Sequence, residues 1–504
     1  MVEAIKSRKG SLAGRPPAPR ESKLKFLSFS ILAAAVLILG QAAAPPNSPG
    51  ADAWAAHHDA GIFLGNRQKS LGRGTVVRSG PLGEVRREVY VESPGPGVAA
   101  IVGVTYLGPG LRRREVHGHE AKSDLGEKFR VRYSEDNGRT WSAFQPVALG
   151  TDTLRQGGNF MEEISFAVNY DPVSKRTVEI LFQRIFLGDP EQALAAYWKG
   201  ETRFYDHGFY RLSEDDGRTF TEYRQLVYED GPRFDPKNWA VREFLETNQM
   251  YGGYDIAVLS DGTIAYPAIV PVAYQEDEED SRICAKVPWY AGQGRVYGAL
   301  CFTGKWNAAR KDFDWHASPP VSVKRRVSTR GFAEPVVAEL EGGRLIMELR
   351  GSNVYLDPVK YPGRKWLSIS EDRGRTWSPP ADLRYDTGET FYAPATFAKF
   401  VRSRKTGKLY WFGNISRGPA EGNLPRYPLY LAEMDEDRAA LKKSTLTIID
   451  DREPGDTEKV QFSNFSLLDN RETGDLEIYL SRLGEKPDNT FSANAYKYTI
   501  VLRK

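Results

Sequence analysis

Apolar residues in this chain come in short runs of five or six, set off by glycines and charged residues. Phe129–Tyr133, Ile164–Val168, Gly208–Leu212 and Lys365–Ile369 are such runs, and their length and bounding turn residues predict strands. The clearest unit is Gly331 to Ser352, GFAEPVVAELEGGRLIMELRGS. Its apolar runs Pro335–Leu340 and Leu345–Leu349 flank a Glu-Gly-Gly turn, which predicts a β-hairpin. A hairpin brings its ends together, so Glu334 before the first strand and Arg350 after the second share one end. A carboxylate and a guanidinium there make either an ion pair or part of an anion site. No helical domain is visible; Gln192–Trp198 and Arg438–Lys443 read as short helical insertions.

The strands belong to a repeat. SEDNGRTW from Ser134 to Trp141 returns as SEDDGRTF from Ser213 to Phe220 and as SEDRGRTW from Ser370 to Trp377. Each copy follows a strand-like run. The chemistry is that of a turn: Asp accepts from turn amides, Gly takes positive φ and the aromatic packs. These residues are therefore expected to be structural. Ser134 to Ser213 is 79 residues and Ser213 to Ser370 is 157, close to twice that. One copy has thus decayed, near Phe302–Trp306 or Phe313–Trp315, and Ala432–Asp437 is a further degenerate candidate. A fixed period of β units with one turn motif each predicts an all-β fold, a six-bladed β-propeller with seven blades as the alternative. The blades are expected at 84–150, 155–232, 245–322, 328–388, 389–448 and 455–504, with residues 60–80 adding an outer strand that closes the ring.

Composition agrees: 12% aromatic residues with 47 Gly and 31 Pro suit many short strands and turns. The formal charge of +3 is a property of the N-terminus. Residues 1–25 hold seven basic and two acidic side chains, a net +5, so the remainder carries −2. That excludes a basic body for nucleic acid. Residues 1–25 read as a basic leader and 26–44 (FLSFSILAAAVLILGQAAA) as a signal-peptide core or, if uncleaved, an N-terminal anchor. Residues 45–59 read as a linker, and 60–504 as the propeller. Either reading of 26–44 places the body outside the cytoplasm, periplasmic or extracellular and tethered to a membrane only through an uncleaved segment. Cys284 and Cys301 then permit one disulfide, favoured here over two buried thiols. The acidic loop Gln275–Asp280 is read as a solvated turn rather than a calcium site. No metal, nucleotide or haem pattern is present, so no cofactor is expected, and the chain is expected to be a monomer.

The triplicated turn motif resembles the Asp box of the sialidase (neuraminidase) superfamily, and four other segments resemble parts of its site. The Glu334–Arg350 hairpin is similar to the segment in which a glutamate assists the nucleophile and an arginine clamps the substrate carboxylate. Asp124, ten residues before the first turn motif, matches the general acid/base. Arg426, in NLPRYPLYLA, matches a second clamp arginine, and Arg87 is the candidate for the third in place of the family's Arg-Ile-Pro. Where the family carries its tyrosine nucleophile, this chain has Phe462 followed by Ser463. Phenylalanine has no hydroxyl, so another group serves or the mechanism differs; Tyr251, Tyr254, Tyr392 and Tyr479 are available. Gly252 and Gly253 allow close approach to the channel, and Glu162 or Glu163 could face the site.

The resemblance implies a sialidase-like exo-glycoside hydrolase for a carboxylate- or sulfate-bearing glycan or polysaccharide. Two alternatives stand beside it. One is a non-catalytic glycan-binding propeller. The other is a polysaccharide lyase that uses a histidine or tyrosine, for which His119, His207, Tyr210 and Arg211 supply the residue types.

Overall fold

The computed structural model describes residues 75–123, 125–147, 154–197, 199–274, 276–292 and 294–503, with the short strands Ile31–Leu32 and Gln68–Ser70. The leader, the linker and all but two residues of the apolar segment lie outside the described residues. Among the described residues no helix is long and apolar enough to cross a membrane.

Six sheets, antiparallel apart from the parallel pairing of Ile31–Leu32 with Asn159–Asp171, form a ring, a six-bladed β-propeller. The first blade is Ala99–Tyr106, Arg113–Lys122, Leu125–Ser134 and Gln145–Pro146. The second is built on Asn159–Asp171, Arg176–Phe186 and Phe204–Ser213. In the third a broken inner strand, Tyr251–Gly252 and Ala257–Val258, precedes Ile264–Ala273, Arg295–Asn307 and Asp312–Ala317. The fourth opens with the predicted hairpin, Ala333–Glu339 and Leu345–Arg350, followed by Lys365–Ser370 and Ala381–Asp382. The fifth contains Lys399–Arg402, Leu409–Asn414 and Leu429–Asp435. The second strand of a blade is sandwiched between neighbouring sheets. Leu345–Arg350 and Leu409–Asn414 are accordingly buried along their whole length, and their apolar residues run continuously instead of alternating. The core lies in the layers between blades: Tyr266, Ala299, Leu345 and Met347 between the third and fourth, and Phe412, Leu431, Phe462 and Ile478 between the fifth and sixth.

The three copies of the turn motif fold alike. In each, the Ser Oγ accepts from the glycine N–H at 2.8 Å, and the Asp carboxylate accepts from the Thr amide and hydroxyl at 2.8 and 2.6 Å. The residue before each glycine takes positive φ, 65° at Asn137, 57° at Asp216 and 64° at Arg373. These hydrogen bonds hold the Asp136 and Asp215 carboxyls at about 2. The turns join third to fourth strands. Lys311 and Ala439, at φ 51°, make the same connection in the third and fifth blades, near the segments where degenerate copies are expected.

The sixth blade closes the ring with both ends of the chain. Ser466–Asp469, Leu476–Ser481 and Ala495–Leu502 continue outward into Gly83–Val91, Val76–Gly80 and Gln68–Ser70. Gly83–Val91 is thus the fourth strand of the closing blade, not the start of the first as the period suggested. Two further expectations change. Cys284 and Cys301 are free thiols, Cys284 packed with Val287 and Leu356 and Cys301 in the third-blade core. The expected insertion at Gln192–Trp198 is the helix Pro190–Tyr197, but 438–443 holds the end of a turn closed by Asp435, the strand Ala440–Leu441 and the first residue of the 3-10 helix Lys443–Thr445.

Candidate active site

Inner strands begin, and second strands end, at one mouth of the channel. The site is assembled there from adjacent blades. Glu334 lies in a bulge, where the register shifts between Ala333 and Val336, and takes φ 44°. A bulge re-aims its side chain, and left-handed backbone at a buried non-glycine residue is strain of the kind found at functional sites. One oxygen of the Glu334 carboxylate is paired with Arg350 Nη1; the other accepts from the Tyr254 hydroxyl at 3.2 Å. Glu334 and Arg350 are 1% and 2% exposed.

Arg350 Nη2 donates to the Asn423 amide oxygen at 3.1 Å, and Arg426 Nε donates to the Asn423 carbonyl at 3.1 Å. Asn423 therefore draws the two arginines together. Arg426 also donates to Gln461 at 3.1 Å. Both guanidinium groups are buried, Arg350 at 2% and Arg426 at 0% exposed, and their N–H donors are of the kind that pair with a planar anion.

Tyr254 arrives on Tyr-Gly-Gly-Tyr. A Cβ on Gly253 would collide with the Pro335 carbonyl, and one on Gly252 with the Tyr266 hydroxyl. Gly253 thus serves the approach of the third blade to the fourth, and Gly252 the packing of the same segment on Tyr266 of its own blade and Phe182 of the second. The Tyr251 and Tyr254 hydroxyls are 3.1 Å apart. Burial, with Glu334 adding to it, raises the Tyr254 phenol well above its ordinary value, so it is a neutral donor to Glu334. Tyr254 also lines a channel cavity of about 130 Å³ with Thr105, Asp255, Phe397, Lys399 and Ser466. Lys399 Nζ is 2.8 Å from both Asp255 oxygens in that wall.

Behind Tyr251 lies a second polar group. Glu162, Arg184 and Asp206 stand opposite one another across three strands. Arg184 binds Asp206 through Nε and Nη2 at 2.7 and 2.9 Å, and its guanidinium is 5.6 Å from the Tyr251 ring. Burial raises the Glu162 carboxyl to about 7 against the pull of Arg184, which Asp206 already engages.

The sequence-derived candidates thus divide. Glu334, Arg350 and Arg426 come together. Asp124 lies outside the described residues; the strands that flank it, paired Lys122 to Leu125, meet at this same end of the first blade. Arg87 is elsewhere. Its strand is fourth from the axis, roughly 14 Å from the inner strand at the usual strand spacing. There its guanidinium contacts Asp450 at 3.1 Å and Glu453 at 3.0 Å. Phe462 is a core residue: fully buried, with Arg482 5.0 Å above its ring. His207 is fully buried, stacked on Phe244 at 4.2 Å, and lowered by burial to about 3. Sequence reasoning could not choose Tyr254 from the available tyrosines; the adjoining Gly252–Gly253 was the one signal for it. The acidic loop is a helix cap, with Asp277 accepting from the Asp280 amide at 2.8 Å and paired with Arg326.

No protein-family model and no curated protein matches this chain. Solved structures do. A protein of unknown function from Dyadobacter fermentans aligns at TM-score 0.52 and 13% identity, over 83% of this chain and 99% of that one. The Hadza microbial sialidase Hz136 aligns at TM-score 0.48 and 16% identity, over 80% of this chain and 66% of that one. The NanB sialidase of Streptococcus pneumoniae aligns at TM-score 0.48 and 11% identity, over 82% of this chain and 69% of that one. At these identities the likeness concerns the fold alone, a six-bladed propeller.

Proposed function

We propose that this protein is an exo-acting glycoside hydrolase for an acidic glycan. Arg350 and Arg426 take the carboxylate or sulfate of the terminal sugar, and Tyr254 with Glu334 acts at its anomeric carbon. The observation that carries this reading is the contact between the Tyr254 hydroxyl and Glu334, 3.2 Å, beside the arginine pair. It supplies, from the third blade, the hydroxyl that Phe462 lacks. A buried phenol is a poor nucleophile until a base takes its proton. In the forward step the Tyr254 oxygen bonds to the anomeric carbon and its proton passes to Glu334, while the glycosidic bond breaks and Asp124 protonates the leaving oxygen. In the second step Asp124 takes a proton from water, whose oxygen displaces Tyr254, and Glu334 returns the proton to the phenol. An exported location fits the apolar segment 26–44.

The test is a screen of acidic glycans with products identified by mass, repeated with Asp124→Ala and Tyr254→Phe. Release of the terminal acidic sugar by wild type but by neither variant is expected. The burial of Phe462 also favours a second reading, a propeller that binds the same glycans without cleaving them; retention with no product would establish it. An unsaturated, ultraviolet-absorbing product would instead indicate a lyase. For that chemistry His207 is poorly suited, because it is buried and neutral.

A further inference from the structure

A second acid–base pair stands behind Arg350. Leu345, Met347 and Leu349 face the third blade and Ile346 faces the fifth, so Glu348 and Arg350, which alternate with them, also face the fifth. Lys365 lies directly opposite Arg350 on the next strand. Its Nζ donates to the carbonyl of Thr396, just before the fifth blade's strand Lys399–Arg402, and is 3.5 Å from Glu348 Oε1. The Glu348 and Lys365 side chains are fully buried. Neither takes part in the steps assigned to Tyr254, Glu334 and Asp124.

The pair is poorly provided for as two full charges. Among the described residues neither oxygen of Glu348 accepts a hydrogen bond. An ionised carboxylate buried without such bonds is costly, and an ammonium at 3.5 Å is beyond the roughly 2.7–2.9 Å of a charge-assisted hydrogen bond. Burial raises the Glu348 carboxyl against the pull of Lys365, and lowers the Lys365 ammonium against the pull of Glu348. The other charges acting on both are Arg350 and Glu334, and these oppose each other. The fifth blade adds the Thr396 carbonyl and, through Asn423, Arg426.

Glu348 and Lys365 can hold one proton between them, with no net charge, or two, with one positive charge. An anion on Arg350 brings negative charge to the cross-strand neighbour of Lys365 and favours the second state. We propose that the Glu348–Lys365 pair is a proton-accepting part of the anion site. It takes up a proton from solvent as the acidic sugar binds, so the protein holds its ligand more tightly as pH falls. This rests on the arginine pair binding the acidic sugar.

The test is calorimetric titration with N-acetylneuraminate, glucuronate and galactose 6-sulfate from about pH 8 to about pH 5, a range in which all three stay ionised. Every protein carries Glu162→Gln, because the Glu162 carboxyl titrates at about 7. The comparison is with Glu348→Gln/Lys365→Met, which removes both charges together and leaves neither uncompensated, a replacement that buried pairs commonly tolerate. With the pair intact, Kd is expected to tighten by up to about 10-fold per pH unit, the slope of one linked proton. Heats in phosphate and in Tris should differ by that proton, a reading that needs no change at the pair. The double variant is expected to bind with a Kd independent of pH. A pair that only packs against Arg350 would change Kd by the same factor at every pH; that result would overturn the proposal. So would a slope retained in the double variant, or heats that do not depend on buffer with the pair intact. Binding of none of the three acids would sink the arginine reading and this one with it.

Discussion

Tyr254 and Glu334 meet from adjacent blades, phenol to carboxylate at 3.2 Å, across a segment whose approach depends on Gly253. The pairing leads to a direct prediction. Tyr254→Phe keeps the ring and its packing on Phe397 but removes the hydroxyl. On the most active glycan found, kcat should fall by more than about 10⁴-fold, beyond the usual worth of a proton-transfer partner, because the nucleophile itself is gone. Melting should shift little. A Tyr254→Phe variant with wild-type kcat would remove Tyr254 from the chemistry.

Asn423 makes the second testable link. Its side chain accepts from Arg350, whereas Arg426 uses its backbone carbonyl. Asn423→Ala therefore loosens one arginine and spares the other. A hydrogen bond to a charged group contributes roughly 1.5–3 kcal/mol, so KM should rise about 10- to 100-fold with kcat less affected. An equal fall in kcat at constant KM would mean that Asn423 does not position the anion clamp.

Local features were legible in the sequence, and so was the period that sets six blades; contacts between particular blades were not. The hairpin of Glu334 and Arg350 and the three Ser-to-aromatic turns are set by residues a few positions apart, and all form as expected. The place of Arg87 depends instead on Val85 pairing with Ile500, a contact between the two ends of the chain that no local pattern reports. Tyr254 was one of 25 tyrosines, and what distinguishes it is the approach of two blades. The cysteines were read from their number. Their pairing depends on geometry, which sets one in a peripheral cluster and the other in a central strand.

Glu162 should make stability depend on pH in an unusual direction. Its carboxyl is raised by burial from 4.5 to about 7, so the folded state binds its proton more tightly than the unfolded one. The advantage of the neutral form is complete below about 4.5 and is lost as pH rises through 7. A shift of this size corresponds to roughly 3 kcal/mol. Glu162→Gln, which stays neutral, should lose less stability than wild type between pH 4.5 and 7.5 in urea denaturation. Parallel curves for the two proteins would mean that Glu162 is ionised throughout.

The last prediction separates two roles for Arg87. Arg78, Arg87 and Arg482 converge on the fully buried Asp450 at 2.6, 3.1 and 3.4 Å. The Tyr498 hydroxyl donates to it at 2.5 Å. Burial pushes the Asp450 carboxyl up, but Arg482, Arg78 and Arg87 outweigh burial and hold it well below the usual carboxylate range. Arg78 and Arg87 come from N-terminal strands and Arg482 from the C-terminal part of the closing blade, so Asp450 joins the two ends of the chain. Removing one partner of such a cluster leaves uncompensated buried charge, and Asp450→Asn should cost about 3–5 kcal/mol in urea denaturation. Arg87→Met, one of three cations, should cost less and leave KM for the acidic glycan unchanged. An Arg87→Met protein of wild-type stability with a raised KM would return Arg87 to the anion site; a destabilised one with wild-type KM would fix it as part of the ring's closure.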